Sequence, residues 1–117
     1  VDYNKVQLAG HVAADPETRT TKSSKVTTGS LGVNYTVGQG DTRERGVNFI
    51  DFEAWGKTSD IFEKYVKKGK GVFIEGHLVK KVWDGQDQVR HSRLAVVVDR
   101  VILLDGPKDQ QQTKGGK

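Results

Sequence analysis

The stretch VNFIDFEAWGKTSDIFEKYVKKG, residues 47–69, changes its period midway, and that change decides the fold. From Val47 to Trp55 the residues alternate as on a strand. Asn48, Ile50, Phe52 and Ala54 share one face, while Val47, Phe49, Asp51, Glu53 and Trp55 share the other. The first set is the core face, because the second carries two acids. The apolar spacing then becomes helical, with Ile61, Phe62, Tyr65 and Val66 on one side. Thr58 or Ser59 can cap this short helix, and Asp60 sits where the helix dipole favours an anion. Lys67 and Lys68 fall in its last turn, and Gly69 ends it.

Upstream, Lys5 to Val12 alternates as a first strand, and Leu31, Val33, Tyr35 and Val37 mark a second. Asp15-Pro16 and the polar run from Thr18 to Lys25 read as a turn and loop between them, and residues 38–46 (GQGDTRERG) as a charged loop before the third strand. Downstream, Val72 to Trp83 is a fourth strand, Asp84-Gly85 a hairpin signal, and Val89 to Leu104 a fifth strand. Three strands, one helix and two strands match an all-β fold, the five-stranded Greek-key OB barrel with its helix between strands 3 and 4. An SH3-like barrel usually lacks that helix, and a split α+β sheet would want more than one. The domain spans residues 1–105, and residues 106–117 (GPKDQQQTKGGK), which hold no apolar side chain, read as a flexible polar tail.

Composition narrows the chemistry. A chain of 117 residues has room for one core, and no run approaches the roughly 18 apolar residues of a membrane span. Asp2, Asn4, Lys5 and Gln7 interrupt the first dozen residues, so no secretory apolar region is expected there. The absence of cysteine excludes disulfides and thiolate metal sites. Three histidines, of which His77 and His91 could approach across the last hairpin, make a poor metal site without a third ligand. The glycine runs GQG and KGKG lack the context of a phosphate-binding loop, and no serine, threonine or lysine has an activating arrangement. Neither catalysis nor a cofactor is expected. A net charge of +4 favours an anionic partner, nucleic acid first.

The aromatic residues sharpen that expectation. Phe49 and Trp55 lie on a strand face shared with charges, where they form a base-stacking platform or else sit in a subunit interface or under a loop. Trp83, beside Lys80 and Lys81 at a hairpin tip, suits a stacked base flanked by phosphates; the plainer reading is a solvated hairpin with Trp83 folded over the barrel end. Asp51 and Glu53, two residues apart on one face, read as salt-bridge or interface groups more readily than as a catalytic pair.

Several stretches together resemble the bacterial-type single-stranded DNA-binding protein family, mitochondrial members included. They are NKVQLAGHVAADPETR (4–19), FIDFEAWGK (49–57), YVKKGKGVFIEGHL (65–78) and the Trp83 hairpin followed by AVVVDRVILL (95–104). The resemblance implies an OB fold, usually a homotetramer, that binds and protects single-stranded DNA without strong sequence preference in replication, recombination and repair. Position by position, it places Phe49, Trp55 and Trp83 on stacking aromatics, and Lys5, Arg19, Lys57, Lys68 and Lys81 on or beside basic positions for the DNA backbone, with Lys80 next to them. An aromatic common late in the family's second strand is missing, so either Tyr35 substitutes or that stacking position is lost. Many bacterial members end in an acidic, hydrophobic-tipped tail that recruits replication and repair enzymes. This sequence closes on Lys114-Gly115-Gly116-Lys117, so it is either truncated or from a branch without the tip, and such partners stay open. The expected location is the bacterial cytoplasm, at the nucleoid, with a mitochondrial or phage origin equally compatible with the residues. The alternatives are an OB-fold, primosome-like accessory protein with weaker nucleic-acid binding, and a small nuclease using Asp51 and Glu53, which would need magnesium.

Overall fold

The computed structural model describes residues 1–104, so the tail expected over 106–117 lies outside the described residues. The strands are β1 (Val6–Val12), β2 (Glu17–Thr20), β3 (Lys25–Val37), β4 (Glu44–Trp55), β5 (Gly71–Asp84) and β6 (Arg90–Leu104). A single turn of 3-10 helix (Gly40–Thr42) joins β3 to β4, and the helix α1 (Lys57–Tyr65) joins β4 to β5. The sheet order is β1-β5-β6-β4-β3-β2, and β1 also pairs with β3 through His11↔Gly32 and Val12↔Leu31. Five strands thus close into a ring, with β4 and β6 parallel at Phe52↔Val96 and the other pairs antiparallel. This is the OB barrel, with its helix between the third and fourth strands of the ring.

The inward residues of the alternating pattern fill the barrel. Val12, Leu31, Phe52, Ala54, Val72, Ile74, Val96 and Val98 are buried together with Phe62 and Val66 from the helix segment. Burying a side chain the size of Leu31 or Phe52 contributes about 1.5–3 kcal/mol, which makes this cluster the main source of stability. The Phe62 ring plugs the barrel end 5.0 Å from Phe52. Closure requires a very close approach of β1 to β3: a Cβ on Gly10 would collide with the Gly32 carbonyl oxygen.

Four local expectations change. The polar run after Thr18 is not all loop, because Glu17–Thr20 pairs with Lys25–Thr28 as a short sixth strand outside the ring. Its alternation is invisible to hydropathy, since the residues are Glu, Thr, Arg and Thr. The helix is not capped by Thr58 or Ser59; it begins at Lys57 directly after Gly56, whose φ of 59° turns the chain sharply out of β4. Ser59 is instead buried inside the helix, its hydroxyl 2.7 Å from that of Thr27. Only Phe62 and Val66 of the expected helix face are buried, while Ile61 and Tyr65 are exposed. Leu78 shares its side of β5 with the buried Val72 and Ile74 but is itself exposed, because β5 and β6 run past the barrel as a two-stranded arm. There Asn4 brackets the backbone of Leu78, donating to its carbonyl at 2.8 Å and accepting its N–H at 2.9 Å. The arm's turn is longer than Asp84-Gly85: the Gly85 N–H donates to Val89 O, and Gln88 takes the positive φ.

Candidate nucleic-acid interface

The unbroken register between β3 and β4, from Val26↔Trp55 to Val37↔Glu44, keeps every second residue of β4 pointing away from the core. That outward set holds Phe49 (66% exposed) and Trp55 (42%). On β5 the outward set ends in Lys81 and Trp83 (46% exposed), which face Arg93 and His91 across the β5–β6 ladder. Arg19 on β2 joins them: an open groove of about 390 Å³ is lined by Arg19, Val26, Thr28, Glu53, Trp55 and Lys81 among others. Phe49, Trp55 and several cations therefore share the outer surface of one barrel wall, and Trp83 continues it along the β5–β6 arm.

The acids on this wall are engaged by cations. Arg93 donates to Asp51 Oδ2 at 2.8 Å. Lys81 Nζ lies 2.6 Å from Glu53 Oε2, and the indole N–H of Trp55 donates to Glu53 Oε1 at 3.1 Å. At the arm, the Trp83 and His91 rings stack with centroids 5.5 Å apart and planes inclined by 23°. His91 Nε2 is 3.2 Å from Asp87 Oδ1. The Asp87 carboxyl is held below the usual carboxylate range by the bond it accepts from the Val89 N–H, then by His91.

The remaining candidates scatter. Tyr35 is 43% exposed but lies against Gly46 on the opposite face of the β3–β4 hairpin from Phe49. Lys80 alternates with Lys81, so it points to the other side of the arm with Leu78 and Val82. Lys5 Nζ is 3.4 Å from Glu75, six residues or about 20 Å along β5 from Lys81. Lys57 starts the helix just beyond Trp55, and Lys68 is exposed past its end, its backbone N–H donating to Asp15 Oδ1 at 2.7 Å. His77 and His91 do not meet, since His77 is opposite Val97 and bonds Asp99 at 3.1 Å. Among the described residues no three His, Cys, Asp or Glu side chains gather as a metal site. The sequence reading did not single out Arg93 or foresee the stack of His91 on Trp83. Both follow from the hairpin register, which places 93 opposite 81 and 91 opposite 83.

A closed five-stranded barrel in this strand order, with its helix between the third and fourth strands, defines the class of OB-fold domains. Residues 3–104 match the Single-strand binding protein family, and the chain belongs to that family. It is 40% identical over 114 residues to single-stranded DNA-binding protein 1 of Chlorobaculum tepidum, an alignment covering 91% of this chain and 67% of that protein. It is 36% identical over 115 residues to single-stranded DNA-binding protein 1 of Staphylococcus aureus, covering 96% and 66% respectively. The chain thus spans about two thirds of the length of these relatives, and 58% of that of the Treponema pallidum protein. The fold superposes on a Plasmodium falciparum SSB solved in complex with ssDNA at a TM-score of 0.82, with 22% identity, covering 90% of this chain and 97% of that one.

Proposed function

We propose that this domain binds single-stranded DNA without strong sequence preference, as a non-catalytic coat for strands exposed in replication, recombination and repair. One observation carries the reading: Phe49, Trp55 and Trp83 keep large apolar rings on an outward wall that also presents Arg19, Lys81 and Arg93. Every base offers a π-face, so such rings accept any sequence, while cations between them follow the phosphates. Membership of the single-strand binding family supports the same partner. A primosome-like assembly role would not call for three exposed rings among cations, and a nuclease would not tie Asp51 and Glu53 to Arg93 and Lys81.

The finer reading is a homotetramer. Among the described residues, β1 from Val6 to Gly10 is paired on one side only, with β5, which leaves an edge that another copy could pair. Ala9, Phe73 and Ile102 also form an apolar row across β1, β5 and β6 on the barrel exterior. The deciding experiment for DNA binding is a titration of tryptophan fluorescence with oligo(dT), duplex DNA and RNA, with and without magnesium. Quenching by oligo(dT) well below the concentration of duplex required, independent of magnesium, is expected. Equal response to duplex, or no response to oligo(dT), would overturn the reading.

A further inference from the structure

Glu53 is the anomaly of the proposed interface. It lies on the outward face, yet its side chain is only 9% exposed. Each carboxylate oxygen has one partner: Oε1 takes the Trp55 indole N–H, and Oε2 takes the Lys81 ammonium. Trp55 is two residues away on the same strand, whereas Lys81 must reach across β6, which lies between β5 and β4. Lys81 is level with Arg93 and Glu53 with Val97, so the crossing spans the part of β6 around Ala95, a small side chain.

A half-exposed tryptophan has a broad torsion about its ring bond, and a base that stacks on it must first still that motion. A charged acceptor on the indole N–H removes the motion beforehand. The same carboxylate neutralises the nearest ammonium, which weakens its pull on a phosphate. We infer that Glu53 is a positioning residue of the interface, its carboxylate setting the Trp55 ring and the Lys81 ammonium as one preformed unit that offers the ring to a base and holds the Lys81 charge back from the backbone. This rests on the stacking role proposed for Trp55.

The test uses a Trp83→Phe background, in which Trp55 is the remaining one of the two tryptophans. In Glu53→Ala the free protein should show lower Trp55 anisotropy and stronger acrylamide quenching, and at high salt, where the freed Lys81 charge is screened, oligo(dT) affinity should fall about fivefold, the size of one lost hydrogen bond. Glu53→Gln keeps an oxygen for the indole but turns an amide NH₂ toward Lys81. It should preserve Trp55 anisotropy and steepen the slope of log K against log salt by about 0.7, as one released cation requires. Trp55→Ala is made alongside, in the protein that retains Trp83. If Trp55→Ala weakens binding while Glu53→Ala leaves both anisotropy and affinity unchanged, the positioning role is overturned and stacking stands. If Trp55→Ala binds normally, stacking itself fails and the inference falls with it. Should Glu53→Ala not fold, Glu53→Gln decides: an unchanged salt slope overturns the restraint on Lys81.

Discussion

At the scale of single residues, the wall separates side chains that adjacent numbers would pool. Phe49→Ala, Trp55→Ala and Trp83→Ala should each cost on the order of 1–3 kcal/mol in oligo(dT) affinity, whatever the base composition. The two indoles should cost more, because they offer the larger faces. The melting temperature and molecular mass of these variants should stay at wild-type values; an intact affinity with a lowered melting temperature would make the rings structural. Lys80 and Lys81 are not a pair, since one faces away from the tryptophans and the other is tied to Glu53. The Arg19 side chain has no hydrogen-bond or ion-pair partner among the described residues and lines the groove beside Trp55. Arg19→Ala should therefore flatten the slope of log K against log salt by about 0.7, the contribution of one phosphate. Lys81→Ala should instead lower the affinity with little change of slope, because it bares the Glu53 carboxylate toward the strand. Affinities measured from low to high salt separate the two behaviours.

At the scale of elements, strands with one wet and one buried face were legible from their alternation, as β4 shows with Phe52 and Ala54 inside and Phe49 and Trp55 outside. β2 was not, because neither face of Glu17–Thr20 is apolar and its place depends on hydrogen bonds to β3. The helix start was misplaced for a related reason: Ser59 has the chemistry of a cap, but tertiary packing buries its hydroxyl against Thr27. Leu78 keeps the period of Val72 and Ile74 yet is exposed, since a strand's period does not tell where the barrel ends and the arm begins. Of the site, the rings were legible by residue type, while the ion pairs and the Trp83–His91 stack needed the register. The closure of β1 on β3 is equally register-dependent. Gly10→Ala would drive a methyl into the Gly32 carbonyl and should cost roughly 1–3 kcal/mol, read as a lowered urea midpoint with unchanged m. The ladders also carry acid sensitivity. The Glu75 carboxyl is held below its usual range by the Gln7 amide first and then by Lys5 and Arg100, and Asp87 by the Val89 N–H and His91. A depressed carboxylate adds stability that is complete above its unfolded value, about pH 4, and is lost as pH falls through the folded value. Melting temperature should thus drop below about pH 4, and Glu75→Gln and Asp87→Asn should each flatten that drop.

At the scale of the whole molecule, the exterior has two walls of different chemistry. One carries the rings and cations already described. The other, over β1, β5 and β6, carries the Ala9-Phe73-Ile102 row, with exposed Leu104 beyond it and the polar row Gln7-Glu75-Arg100 beside it. A monomer in water would leave both this row and, among the described residues, the singly paired edge of β1 exposed; one two-fold contact at each would relieve them and together make the proposed tetramer. A net charge of +4 is small enough to permit that association. The expected mass by light scattering at micromolar concentration is four times the 12.9 kDa chain, and a monomer mass there would overturn the assembly. Ile102→Glu tests the surface directly. Its carboxylate would enter the centre of the apolar row, where an unpaired charge is costly to bury, but would be solvated on an isolated domain. The variant should remain folded by circular dichroism and shift to lower mass. Its oligo(dT) affinity per domain should fall only by what the loss of linked neighbours removes, because the Trp55 and Trp83 wall is untouched. If Ile102→Glu keeps the wild-type mass, the copies meet elsewhere and this row has another use.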